Sequence, residues 1–266
     1  MLSWPLLKRN GKACLIPFIF IFLLLSLYTS VIIYMYNPEF ADMLNDYQEA
    51  LPQVMATVGM TGIAQNLVEW LQIYLYGFIM LLFPLIFIII AVNKLVMNDI
   101  DKGSMAGLLA TPNSRKKIIF TQGFSLYLWL ILLMVCITLL GIACCQGMFP
   151  GELDIRGYLL LNIGTLMLWF AVAGIAFFTA CVSNESKYYY AFGAGIPILF
   201  FLLDMISRMG KELDFVRYFT IYSLFSGDQI VAYQPEAVLS CLVLGAAGLI
   251  LSAAGCVYFT TRDLSL

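Results

Sequence analysis

Residues 71–97 read LQIYLYGFIMLLFPLIFIIIAVNKLVM, twenty-seven positions that carry a single charge, Lys94. At 1.5 Å per residue a helix of this length outruns the ~30 Å of hydrocarbon in a bilayer, and so continuous an apolar run offers water no polar face. Five further runs flank it, at 13–36, 118–143, 158–182, 189–206 and 236–259. Each is close to the ~20 residues that a transmembrane helix needs. The 266-residue chain is 62% hydrophobic and 11% charged, against about a quarter charged in water-soluble domains. The expected fold is therefore an all-α membrane protein of six transmembrane helices, a single domain over 1–266. No piece between the runs exceeds 34 residues, too short to bury a core of its own.

Charge gives the direction of threading. Lys8, Arg9 and Lys12 precede the first run, which is too long for a signal-peptide core and is followed by no A-x-A site, so it is read as a retained anchor. With the N-terminus inside, ten of the fourteen Lys and Arg fall on the cytoplasmic side and twelve of the sixteen acids on the outer side. Six crossings return the C-terminus to the cytoplasm. Trp4 to Leu7 suit a short interfacial helix leading into the bilayer. In the outer segment 37–70, Asn37-Pro38 opens a helix whose apolar stripe is Phe40, Met43, Leu44, Tyr47 and Leu51, with Glu39, Asp42, Asp46 and Glu49 mostly off it, and Pro52 near its end. Before the last run, 215–225 reads as an interfacial or partly re-entrant helix, buried against protein rather than lipid. Pro84 predicts a bend in the second run, and Lys94 is placed to snorkel to the headgroups.

Several chemistries drop out. The chain has no histidine, which removes HExxH zinc sites and Ser-His dyads. Two intramembrane aspartates are lacking too, so an intramembrane protease is set aside. The seven cysteines form no CxxC pair, and Cys144-Cys145 read as small apolar packing rather than a soft-metal site. No GxxxxGK[ST] loop is present, so any ATP hydrolysis belongs to another chain. Ion-coupled carriers place charges inside the membrane. Here Lys94, Asp204 and Glu236 lie near span ends and spans one, three and four hold none. The polar and aromatic residues left at mid-span, Ser26, Thr29, Asn162, Thr165 and Trp169, are the candidate substrate pathway and suit an amphipathic cargo.

The connection between the second and third runs reads NDIDKGSMAGLLATPNSRKK from 98 to 117. Ser104 can cap a short amphipathic helix carrying Met105, Leu108 and Leu109 that stops before Pro112, after which Asn113-Ser114 turns and Arg115-Lys116-Lys117 re-enter the membrane. A stiff, leucine-bearing rod of this kind is what receives a push from a cytoplasmic motor. The pattern Asp101-x-Gly103-Ser104, Leu108-Leu109, Thr111-Pro112-x-Ser114-Arg115 and Ile118 resembles the inner loop of ATP-binding-cassette (ABC) transporter permeases of the type-2 exporter family. The tail Phe259-Thr260-Thr261-Arg262-Asp263-Leu264 is similar to the Phe-x-x-Arg-Asp-Leu with which many of them end. The resemblance implies that Asp101, Gly103, Ser104, Met105, Leu108, Leu109, Pro112 and Arg115 form a coupling helix that docks on a cytoplasmic ATPase, and that the loop before the last span forms short outer helices. It further implies two ATPase copies holding ATP and Mg, a second permease chain, identical or not, no cofactor bound by this chain and no catalysis by it. It places the protein in a bacterial plasma membrane, as an exporter of a peptide such as an antimicrobial peptide, a drug or a lipid. A non-transporting sensor or scaffold coupled to an ATPase and a cation-extrusion permease are the alternatives. Nothing in the chain points to nucleic acid.

Overall fold

A computed structural model describes residues 2–37, 40, 43, 44, 47, 50–60, 62, 64–103 and 114–261. Among these there is no strand, and six helices are long and apolar enough to cross a membrane: Trp4–Tyr34, Ile79–Asp101, Arg115–Met148, Ile155–Val182, Ser186–Ser207 and Pro235–Thr261, called spans one to six. Spans two and four are the interior of the bundle, with 61% and 67% of their apolar windows buried against 33–39% for the other four. The outer four turn whole stripes of large apolar side chains outward, such as Ile16, Phe20, Leu23 and Leu27 on span one and Leu239, Val243, Ile250 and Val257 on span six. Stripes of that length are tolerable where hydrocarbon is the solvent. The chain is a multi-pass membrane protein.

Spans four and six pack most closely. A Cβ on Gly248 would lie 2.1 Å from the Phe170 carbonyl oxygen, one on Gly174 2.3 Å from the Gly248 oxygen, and one on Gly245 2.4 Å from Met167 Sδ. The two backbones touch, and only glycine permits it.

Three expectations are corrected. Span one starts at Trp4 and runs unbroken for 31 residues, so no separate interfacial helix precedes it. Its first turns lean on span three, where the Ser3 N–H donates to Thr121 Oγ1 (3.1 Å) and Asn10 Nδ2 to Ser125 Oγ (3.0 Å). Span two begins at Ile79 rather than 71. Before it stand a helix Leu67–Leu71 and a π-turn Gln72–Tyr76, and Phe78 departs from helical geometry. The fault lies where Gly77 meets Gly59, whose φ of +74° and contacts with the Gly77 carbonyl exclude a side chain. The third concerns 215–225: it forms parts of two 3-10 helices, Lys211–Phe219 and Ile221–Leu224, and only its second half is buried. Phe215, Tyr218 and Phe219 are exposed, whereas Tyr222 and Phe225 are buried and Tyr222 meets Phe201 edge-on. A third short helix, Gly227–Val231, completes the short helices before span six.

Phe40, Met43, Leu44 and Tyr47 are helical, as their spacing predicts, and Leu44 packs on the core. Pro52 opens a new helix, Pro52–Thr57, instead of only ending the previous one. Pro38, Glu39, Asp42, Asp46 and Glu49 lie outside the described residues, as do 104–113 and 262–266.

Candidate functional site

The described part of the 98–117 connection consists of its two roots. Span two ends in Asn98–Asp101, and Gly103 closes it in the left-handed conformation (φ +65°), its N–H bonded to the Ile100 carbonyl. The two acids of this turn diverge. Asp99, almost buried, pairs with Arg9 of span one, whose Nη1 donates to Oδ1 at 3.3 Å and whose Nη2 meets Oδ2, and it also accepts from Gln122 Nε2 of span three at 3.4 Å. Arg9 is 44% exposed, so the pair contributes on the order of 1 kcal/mol. Its geometric effect is larger than its energy, because one carboxylate ties together three spans.

Asp101 points the other way, to the start of span five. Its Oδ1 accepts from the Ser186 backbone N–H at 3.1 Å and its Oδ2 from the Ser186 hydroxyl. The N-cap of that helix, Glu185, makes no capping bond of its own. A residue of span two therefore caps span five across the fold, the position at which a helix end welcomes an anion. At the second root, Ser114 Oγ accepts from the Lys117 N–H (3.3 Å) and caps span three, and Arg115 is its first helical residue. Of the residues expected to form the coupling helix, Asp101, Gly103 and Arg115 stand at these roots. Ser104, Met105, Leu108, Leu109 and Pro112 lie outside the described residues.

Sequence reasoning missed Arg9, Asn10, Asp99, Gln122, Ser125 and Ser186 as members of this cluster. The signal for it was polarity out of place: an amide and a hydroxyl at Gln122 and Ser125 in a helix otherwise facing hydrocarbon demand partners in the same protein.

Lys94 was expected to snorkel. Instead its ammonium donates to the Ala13 carbonyl of span one at 3.4 Å. Pro17, four residues on from Ala13, has no N–H with which to take that carbonyl, so the lysine replaces a missing helix bond. The same device recurs in the core. Pro84 leaves the Met80 carbonyl without its partner, and Trp169 of span four supplies one, Nε1 donating at 2.9 Å. Trp70 Nε1 likewise donates to the Ile32 carbonyl (2.9 Å) in the last turn of span one. In hydrocarbon each freed carbonyl left bare would cost several kcal/mol, roughly.

The candidate pathway residues are brought partly together. Asn162, Thr165 and Trp169 are buried on span four and spend their polar atoms inside the chain. Asn162 accepts from Tyr76 (2.8 Å) and donates to the Tyr158 carbonyl (2.8 Å), and Thr165 donates to the Leu161 carbonyl (2.8 Å). Ser26 and Thr29 lie apart on span one, their hydroxyl oxygens enclosed and without a hydrogen-bond partner among the described residues. Above Tyr76, at the end opposite the connection, a polar cleft of about 350 Å³ opens between Gln72, Asp204, Arg208, Arg217, Tyr222 and Asp228. Its buried Asp204 is paired with Arg208 at 2.7 Å. Burial, with the Asp204 charge second, pushes the Tyr222 phenol up. Cys144 meets Ser30 at 3.7 Å and Cys145 is buried, in keeping with packing.

No family model matches the chain, and no curated protein is detectably similar to it.

Proposed function

We propose that the chain is the membrane-spanning permease subunit of an ABC exporter, driven by a separate cytoplasmic ATPase. Two permease and two ATPase chains form the working unit, in the plasma membrane of a bacterium. The connection end faces the cytoplasm with both chain ends, the threading that the lysine and arginine distribution favours. ATP and Mg stay on the partner, and this chain moves an amphipathic peptide, drug or lipid outward. The observation that carries the reading is the bracing of the first connection root. Asp99 is bonded to spans one and three and Asp101 to span five, so a push on the 104–113 connection would reach four spans at once. A loop serving only to join two helices has no use for such ties. Rocking of the bundle by that push would exchange an inward opening for an outward one.

The test is Leu108→Asp with Leu109→Asp. The variant should insert and purify as the parent does, lose association with its partner ATPase, and lose ATP-driven transport in proteoliposomes. Retained association and transport would overturn the assignment. Hydrolysis stimulated by the parent chain with no cargo moved would convert the exporter into a sensor.

A further inference from the structure

Spans three and six are joined at mid-height, where the Tyr127 hydroxyl lies 2.6 Å from Ser252 Oγ and donates to the Gly248 carbonyl at 3.2 Å. Beyond this contact, at the connection end, a groove of about 470 Å³ opens between the two helices. That is within the range of about 300–1,000 Å³ usual for small-molecule sites. Its walls, Ile119, Phe120, Cys256 and Val257, are apolar, and its rim carries Lys116 and Lys117. Phe120 and Val257 are widely exposed on these spanning helices, so the groove is open to the hydrocarbon side. Neither lysine ammonium meets a carboxylate among the described residues. Both stand in the first turn of span three, where the helix pole is itself positive and repels them. Positive charge is thus concentrated at the mouth of an apolar slot, at membrane-surface level, with nothing of opposite sign from the described chain beside it.

We propose that this groove binds an anionic phospholipid of the surrounding leaflet. The phosphate sits at Lys116 and Lys117, and an acyl chain lies along Phe120, Cys256 and Val257. A soluble phosphate would answer the charge and leave the apolar walls bare. A zwitterionic lipid would fill the walls and offer a phosphate, but its own ammonium offsets that charge beside the two lysines, so a lipid of net negative charge matches best. An occupant there ties the foot of span six to the root at which the connection re-enters the bilayer. The inference is independent of an ATPase partner.

The full chain is purified in nanodiscs of equal phosphatidylglycerol and phosphatidylcholine, released into the gas phase, and its retained lipids counted by native mass spectrometry. Phosphatidylglycerol should be retained in preference. Attraction per lysine near an anionic surface corresponds to about fivefold, so Lys116→Gln with Lys117→Gln should cut the preference about 25-fold. Val257→Trp, at a position 65% exposed, leaves every charge in place and fills the slot, and it should also lower retention. Equal retention of the two lipids in the parent, or an unchanged preference in the lysine variant, would overturn the proposal. So would a Val257→Trp chain that retains phosphatidylglycerol in full, since a surface charge alone would then be acting. Displacement by excess inorganic phosphate would make the ligand a free anion, and retention appearing only after removal of residues 262–266 would assign the groove to the tail.

Discussion

The seam between spans four and six and the cluster at the connection end hold helices together by opposite means. At the seam, backbone meets backbone through Gly174 and Gly248, and that contact has a single solution, because no side chain stands between the helices there to rearrange. At the connection end, spans one, two, three and five are joined by Arg9, Asp99, Gln122, Asp101 and Ser186; the buried Asp99 and Gln122 keep their bonds, and the exposed Asp101–Ser186 bonds can be exchanged for water or for a partner's groups at small cost. The difference separates a part built to move as one body from a part built to change partners. One region is rigid and the other adjustable.

The largest effect should come from breaking the seam. Gly248→Val puts a branched side chain where even a Cβ is 2.1 Å from a backbone oxygen. Backbone cannot yield as a flexible side chain would, so the cost should reach or exceed the ~3 kcal/mol upper end of ordinary overpacking. The variant should fail to give a monodisperse peak in detergent. Ala247→Val, one residue away on the exposed face, should behave as the parent. Equal behaviour of the two would mean that the helices are not in backbone contact.

The proline devices compare the two regions at one chemistry. Trp169→Phe leaves the Met80 carbonyl bare and should cost about 1–3 kcal/mol in thermal unfolding. Pro84→Ala restores an N–H at position 84, so in that background the same change should cost much less, and the shortfall is the coupling energy. Lys94→Met paired with Pro17→Ala is the equivalent cycle at the connection end. Its bond is longer, 3.4 Å against 2.9 Å, and only partly buried, so its coupling should be smaller. A larger coupling there would reverse the ranking of rigid and adjustable regions.

The six spans were legible because hydrophobicity summed over some twenty residues swamps local detail, and Asp101 stood out at the end of an apolar run. The glycine seam was not legible. Gly174 and Gly248 are ordinary small residues until two helices are set face to face, and composition does not say which face meets which. The role of Trp169 was hidden for the same reason. Pro84 announces a bare carbonyl, but the indole that covers it comes from a span 85 positions further on. Boundaries drifted where tertiary contact overrode pattern, as at Gly77, whose break depends on Gly59 rather than on any neighbour in sequence.

The smallest effect is expected where spans four and six meet water at the end opposite the connection. There the same two helices that touch through glycine are bridged by polar groups: Tyr233 donates to Asp154, the N-cap of span four, and Arg156 lies 5.2 Å over the Tyr233 ring. Tyr233 is held at φ 57°, unusual for a bulky residue, and this bond helps to keep it there. The Tyr233 hydroxyl, ahead of the Gly157 and Arg156 N–H groups and the Arg156 charge, holds the Asp154 carboxyl below its ordinary 3.8, against the opposing effect of burial. A depressed carboxyl stabilises the folded chain above its unfolded value and loses that contribution as pH falls through the folded one. The phenol is shifted upward by the same bond, so its contribution is lost instead as pH rises past its ordinary 10.0. Tyr233→Phe should therefore leave stability near neutral pH only slightly lower and flatten the acid limb of the melting profile below about pH 4. Both groups are exposed, so the change should amount to a shallow slope and not a transition. A steep acid transition that disappears with the hydroxyl would show that this wet bridge, and not the dry glycine seam, decides whether spans four and six stay together.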